Sequence, residues 1–114
     1  KSNHFCVFDE IFSGTNPYEA VSAATAFLEH LNNLPNVSYM ITTHFLGVCK
    51  SLSCDDGVKN VCMDVHRSGT NFTYTYKIKS GISDVRGGLK VLIDLNYPES
   101  IISSATKRLD EIVF

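Results

Sequence analysis

The sequence predicts an α/β fold: a parallel βαβ core, then an antiparallel hairpin and carboxyl-terminal helices. Three observations lead there. Two short apolar runs, residues 5–8 and 37–42, flank a helix-length stretch with 3.6-residue periodicity, the make-up of a crossover unit. Residues 61–79 then alternate apolar and polar side chains around a glycine-containing loop. Two further helical stretches follow residue 88.

Phe5-Cys6-Val7-Phe8 is short and rich in β-branched and aromatic residues, so it reads as a buried strand that ends in Asp9-Glu10. Asn16-Pro17-Tyr18-Glu19 is a helix start, with an Asn N-cap, Pro at the first helical position and Glu three residues after the cap. Val21, Ala24, Leu28 and Leu31 continue as one apolar stripe, ending near Asn32-Asn33. Ala20, Ser22, Ala23, Ala24 and Ala26 crowd the first half of this helix, as close packing on a sheet requires. Residues 37–42 form the second strand. A right-handed crossover makes the two strands parallel, so both carboxyl ends lie on one edge and His44 is brought towards Asp9 and Glu10.

Asp55-Asp56-Gly57 is a turn. Val61, Met63 and Val65 then alternate with Cys62, Asp64 and His66. Beyond Arg67-Ser68-Gly69-Thr70-Asn71, Phe72, Tyr74, Tyr76 and Ile78 alternate with Thr73, Thr75, Lys77 and Lys79. The hairpin's aromatic stripe is expected to be core rather than a platform for bases, because only scattered basic residues accompany it. Residues 81–88 form a glycine-punctuated loop without a GxGxxG pattern. A short helix starts at Leu89, and Asn96-Tyr97-Pro98-Glu99 caps another, with Ile101, Ile102, Ala105, Leu109 and Ile112 on one face.

Bulk properties narrow the function. At 114 residues and 12.6 kDa the chain is at most one domain, able to bury about two thirds of its unfolded surface. Its 44% hydrophobic and 19% charged residues are those of a globular protein. A net charge of −2 argues against a phosphate-gripping surface on this segment, so any DNA contact belongs to other parts of a longer protein. Cys6, Cys49, Cys54 and Cys62 form no CxxC pair and no zinc-finger spacing, which reads as a reduced, intracellular protein, cytoplasmic or nuclear. Asn36-Val37-Ser38 and Asn71-Phe72-Thr73 match the glycosylation sequon, but no signal peptide accompanies them. No apolar run approaches the roughly 20 residues of a membrane span. The chain opens on Lys1 just before a central strand, and the expectation is the carboxyl-terminal part of something larger.

Asp9 and Glu10 carry the chemistry. At the carboxyl edge of an open α/β sheet, where ligands bind, two adjacent carboxylates can divide nucleotide hydrolysis between them. The first holds Mg²⁺ through water, and the second orients or deprotonates the attacking water. The alternative is a strand that simply runs out into a solvated acidic turn.

The order of motifs decides how these residues are read. After Asp9-Glu10 come Ile11-Phe12-Ser13-Gly14-Thr15, the helix start, and Ile41-Thr42-Thr43-His44-Phe45. Tyr76-Lys77-Ile78-Lys79-Ser80-Gly81, Gly87-Gly88-Leu89-Lys90-Val91 and Asn96-Tyr97-Pro98 follow. This succession resembles the ATPase domain of the MutS family of DNA mismatch-repair proteins, a branch of the ABC-type P-loop NTPases, over nearly the whole chain. The resemblance implies that residues 1–114 are the carboxyl-terminal half of such a domain. Asp9 would be the Walker B carboxylate that positions Mg²⁺, Glu10 would polarise the attacking water, and His44 would sense the γ-phosphate of ATP. Ser13, Gly14, Thr15 and Asn16 would form the D-loop that meets a second MutS-type subunit. Tyr76 falls where family members place a residue near the adenine.

The sequence also departs from the family. Arg86-Gly87-Gly88 stands where many members have Ser, an aromatic residue and Gly, and Asn16-Pro17 replaces a Ser/Thr-rich stretch. Both point to a divergent branch. The chain contains neither GxxxxGK[ST] nor an ABC signature segment, so the expected partners (ATP, DNA and a homo- or heterodimeric mate) engage the parent protein, and this segment alone is expected to be inactive. Two alternatives stand beside this reading: an ABC-type ATPase of the chromosome-maintenance and break-repair class, and a non-catalytic dimerisation module.

Overall fold

The apolar run near the amino terminus forms strand β1 (His4–Asp9), one residue longer at each end than its composition predicts. A computed structural model of the chain describes residues 2–69, 71–85 and 87–111. Helix α1 (Pro17–Asn32) starts as expected, with the Asn16 side chain accepting the backbone N–H groups of Tyr18 (2.9 Å) and Glu19 (3.2 Å). Strand β2 (Val37–Thr42) pairs parallel with β1 in a register running from His4 opposite Val37 to Asp9 opposite Thr42. The expected βαβ unit is therefore present.

Alternation along the two strands sorts their faces. Cys6, Phe8, Tyr39 and Ile41 share the half-buried face. Phe8, Tyr39 and Ile41 pack with Val37 and Phe27 around the buried Ala24, Leu28 and Leu31 of α1, and Phe8 meets Phe27 edge to face at 5.4 Å. Ala20 and Ala24 are buried, as close helix–sheet packing needs, whereas Ser22 and Ala26 are exposed. A short helix that the sequence reading left unassigned, α2 (Leu46–Ser51), adds Val48 to this core, with Leu52 just beyond it. Its local signal is weak: six residues including Gly47, and no side-chain cap at its start. What holds it is tertiary. Val48 is buried, and the Asn60 side-chain amide donates to the carbonyls of Cys49 (3.0 Å) and Leu52 (2.9 Å) at its carboxyl end. Residues Cys54–Asp56 form a 3₁₀ turn closed by Gly57 at φ 78°, the turn expected there.

Contacts divide the chain into two units, the first ending at Asn60 and the second beginning at Val61. The second unit opens with the expected antiparallel hairpin, β3 (Val61–Ser68) and β4 (Asn71–Ser80). Thr70, in the connection between them, lies outside the described residues. The hairpin's register breaks in the middle: Met63 faces Ile78, but Val65 faces Tyr74, so β4 bulges, and Tyr76 sits there at φ 61°.

The expectation that the aromatic stripe is core is corrected here. Val61, Met63, Tyr74, Tyr76 and Ile78 are all exposed, Tyr76 at 86%. Phe72, beside Lys90 and Val91, is half-buried; a two-stranded ribbon buries the rest of such a face only if a further layer covers it.

Helix α3 (Gly87–Asp94) begins two residues before Leu89, inside the segment read as a loop. It ends in a Schellman arrangement: Tyr97 N–H donates to Leu92 O (3.0 Å), Asn96 N–H donates to Ile93 O (3.1 Å), and Asn96 takes φ 56°. Asn96 therefore ends α3 and does not cap the next helix. Helix α4 (Glu99–Glu111) starts instead from Pro98, whose carbonyl accepts from Ile101 (2.9 Å) and Ile102 (3.2 Å). Its predicted apolar face is only partly covered. Ile102 and Ala105 are half-buried, Ile101 and Leu109 are exposed, and Ile112 lies outside the described residues, as does Arg86 of the glycine loop.

Candidate nucleotide-hydrolysis site

Parallel pairing places the last residues of β1 and β2, Asp9 and Thr42, opposite each other at the carboxyl edge of the sheet. The Thr42 hydroxyl donates to Asp9 Oδ1 at 2.6 Å. The next residue, Glu10, leaves the extended conformation for the left-handed region at φ 52°. A non-glycine residue there costs about 1–2 kcal/mol. It is held by two bonds to one neighbour: Glu10 N–H donates to both the carbonyl oxygen (3.0 Å) and the hydroxyl oxygen (3.2 Å) of Thr42.

His44 follows β2 by two residues. The chain turns between them as Thr43 Oγ1 accepts the Phe45 N–H at 3.0 Å. His44 Nε2 contacts Glu10 Oε1 directly, so the expected meeting of the acidic pair with the histidine on one sheet edge is present. The imidazole is 83% exposed. Water screens the pair accordingly, and as an ion pair it is worth at most about 1 kcal/mol. Its importance is geometric: a carboxylate and an imidazole are within reach of one bound group.

The D-loop candidates lie on the turn between β1 and α1. Ser13 N–H donates to Glu10 O at 3.3 Å, and Ser13, Gly14, Thr15 and Asn16 are exposed. Asn16 also caps α1. Tyr76 belongs to the second unit, where it lines an open groove with Phe72, Thr73, Tyr74, Lys90 and Val91. Lys90 Nζ stands 5.8 Å from the centre of the Phe72 ring.

Among the described residues no three His, Cys, Asp or Glu side chains gather into a cage for a metal ion. The oxygen donors of Asp9 and Glu10 instead suit an ion that keeps most of its water and its phosphate ligands, the habit of Mg²⁺. Asp9 Oδ2 makes no hydrogen bond among the described residues and is open to such a contact.

Sequence reasoning passed over Thr42 as a site residue. A threonine at a strand end reads as an ordinary β-former. Its role depends on a hydroxyl bond to a residue 33 positions away, which no local pattern records.

The chain is similar to known proteins over most of its length. Residues 1–113 match the family model described as MutS domain V. The chain is 32% identical to the DNA mismatch repair protein MutS of Persephonella marina over 110 residues, 96% of its length. It is 29% identical to MutS of Fervidobacterium nodosum over 107 residues (94%) and 29% identical to the DNA mismatch repair protein spellchecker 1 of Drosophila melanogaster over 105 residues (92%). These alignments cover only 12%, 13% and 12% of the respective relatives.

Proposed function

Because this chain belongs to the MutS family of DNA mismatch-repair proteins, we propose that it is the carboxyl-terminal half of an ABC-type P-loop ATPase domain whose parent couples Mg²⁺-dependent ATP hydrolysis to DNA binding. Family membership displaces the chromosome-maintenance alternative. The observation that most supports the reading is the convergence of Asp9, Glu10 and His44 on one sheet edge, with Glu10 touching His44.

In this reading Asp9 would hold the hydrated Mg²⁺ through Oδ2, while Thr42 occupies Oδ1. The ion, when bound, neutralises charge on the β- and γ-phosphates. Glu10 accepts a proton from the attacking water at Oε1, the oxygen that contacts His44 Nε2. His44 exchanges that partner for a γ-phosphate oxygen, which frees Oε1 for the water. Tyr76 contributes an edge or stacking contact to the adenine, and Ser13 to Asn16 face the nucleotide site of a second MutS-type subunit. DNA is gripped elsewhere in the parent, in keeping with the net charge of −2. The protein works inside the cell. No described helix is long and apolar enough to cross a membrane.

Glu10→Gln in the complete parent tests this directly. The substitution removes charge with little change in shape, so ATP binding should persist while turnover falls about 10²–10⁴-fold, the worth of a positioned general base. Near-normal steady-state hydrolysis would remove Glu10 from the role.

A further inference from the structure

We propose that Thr42 is a positioning residue for the acidic pair, its hydroxyl setting the orientation of the Asp9 carboxylate and the backbone kink at Glu10; this rests on the hydrolytic reading above. The hydroxyl uses its proton on Asp9 Oδ1 (2.6 Å) and a lone pair on Glu10 N–H (3.2 Å). Both its donor and its acceptor capacity point into the site.

Two consequences follow. With Oδ1 engaged, the Asp9 carboxylate cannot swing freely, and Oδ2 is the oxygen left for a hydrated cation. In a continuous strand, residue 10 would project to the face opposite Asp9. The kink at φ 52° breaks that alternation, and the kinked N–H is satisfied wholly by Thr42. Threonine suits the task better than serine because its β-branch stiffens χ1. Groups that orient a metal-binding carboxylate without touching the metal typically matter about 10–100-fold in metal affinity or activity.

The test uses the full-length parent with Thr42→Val, which is nearly isosteric but lacks the hydroxyl, and Thr42→Ser, which keeps it. Mn²⁺ stands in for Mg²⁺ and is titrated by electron paramagnetic resonance in the presence of a non-hydrolysable ATP analogue, alongside steady-state ATPase assays. Thr42→Val should weaken Mn²⁺ binding and lower kcat, each about 10-fold, with KM for ATP unchanged. Thr42→Ser should restore both to within a few-fold of wild type. Wild-type Mn²⁺ affinity and kcat in Thr42→Val would overturn the proposal. So would a Thr42→Ser protein as defective as Thr42→Val, because keeping the hydroxyl would then not keep the function. If thermal melting shows Thr42→Val unfolded, Thr42→Ala replaces it and is read the same way. Glu10→Gln is the reference: if it hydrolyses ATP normally, the hydrolytic reading falls and this proposal with it. If Glu10→Gln is slow while Thr42→Val is normal, only the role of Thr42 falls.

Discussion

Gly14 separates two explanations that look alike in the sequence. A glycine before a helix can serve a turn that needs positive φ, or it can permit close approach of another backbone. Gly14 is not among the glycines with positive φ, and a Cβ built on it would meet nothing within 4 Å. The left-handed positions of this turn are Glu10 and Phe12. The fold of this chain therefore does not require glycine at position 14. Gly14→Ala in the parent should leave thermal unfolding unchanged, within about 0.5 kcal/mol. If the D-loop meets a second subunit, the same variant should weaken ATP-dependent dimer contact or turnover. Normal dimerisation and turnover in the stable variant would remove Gly14 from the interface.

At the scale of elements, capping chemistry sets the start of α1 and the end of α3. Asn16 acts through its side chain, accepting two N–H groups at the start of α1. Asn96 acts through its backbone, reaching φ 56° to end α3. The two asparagines read alike in sequence because each precedes a proline-containing helix start. They differ because Tyr97 N–H reaches back to Leu92 O, a bond that belongs to the end of α3. Asn96→Gly should hold or slightly raise stability, whereas Asn96→Ala should lower it by about 1 kcal/mol in chemical denaturation. Equal stability of the two variants would mean that the left-handed cap contributes nothing.

For the molecule as a whole, burial is sparse. Among the described residues only Ala20, Ala24, Leu28, Leu31, Val48 and Leu52 are buried, all of them in the first unit. The second face of the β1–β2 sheet leaves Phe5, Val7 and Met40 each more than 60% exposed, although parallel sheets ordinarily have both faces covered. Most of the hairpin stripe is exposed as well, with Val65 and Phe72 half-buried. The isolated 114-residue chain should therefore bind the dye ANS strongly. It should also show no micromolar affinity for Mg-ATP by calorimetry, since its sequence holds no GxxxxGK[ST] loop to cradle the phosphates. Tight Mg-ATP binding by this chain alone would mean that the nucleotide site is misplaced.

The sequence alone determined what is locally encoded. Apolar period, N-cap chemistry and a short crossover specify β1, α1, β2 and the hairpin, and parallel pairing then obliges Asp9, Glu10 and His44 to share an edge. Family motifs, also legible residue by residue, indicated mismatch repair. Three other features were settled only in the tertiary structure. Helix α2 exists because Val48 is buried and Asn60 holds its carboxyl end, not because its six residues favour helix. Tyr76 is extruded because the β3–β4 register slips, which alternation in either strand cannot reveal. Thr42 grips Asp9 and Glu10 because strand pairing sets residues more than 30 positions apart side by side. Period and capping are properties of neighbouring residues in the chain. Register, burial and cross-strand hydrogen bonds are properties of neighbours in space, and only the folded chain brings those together.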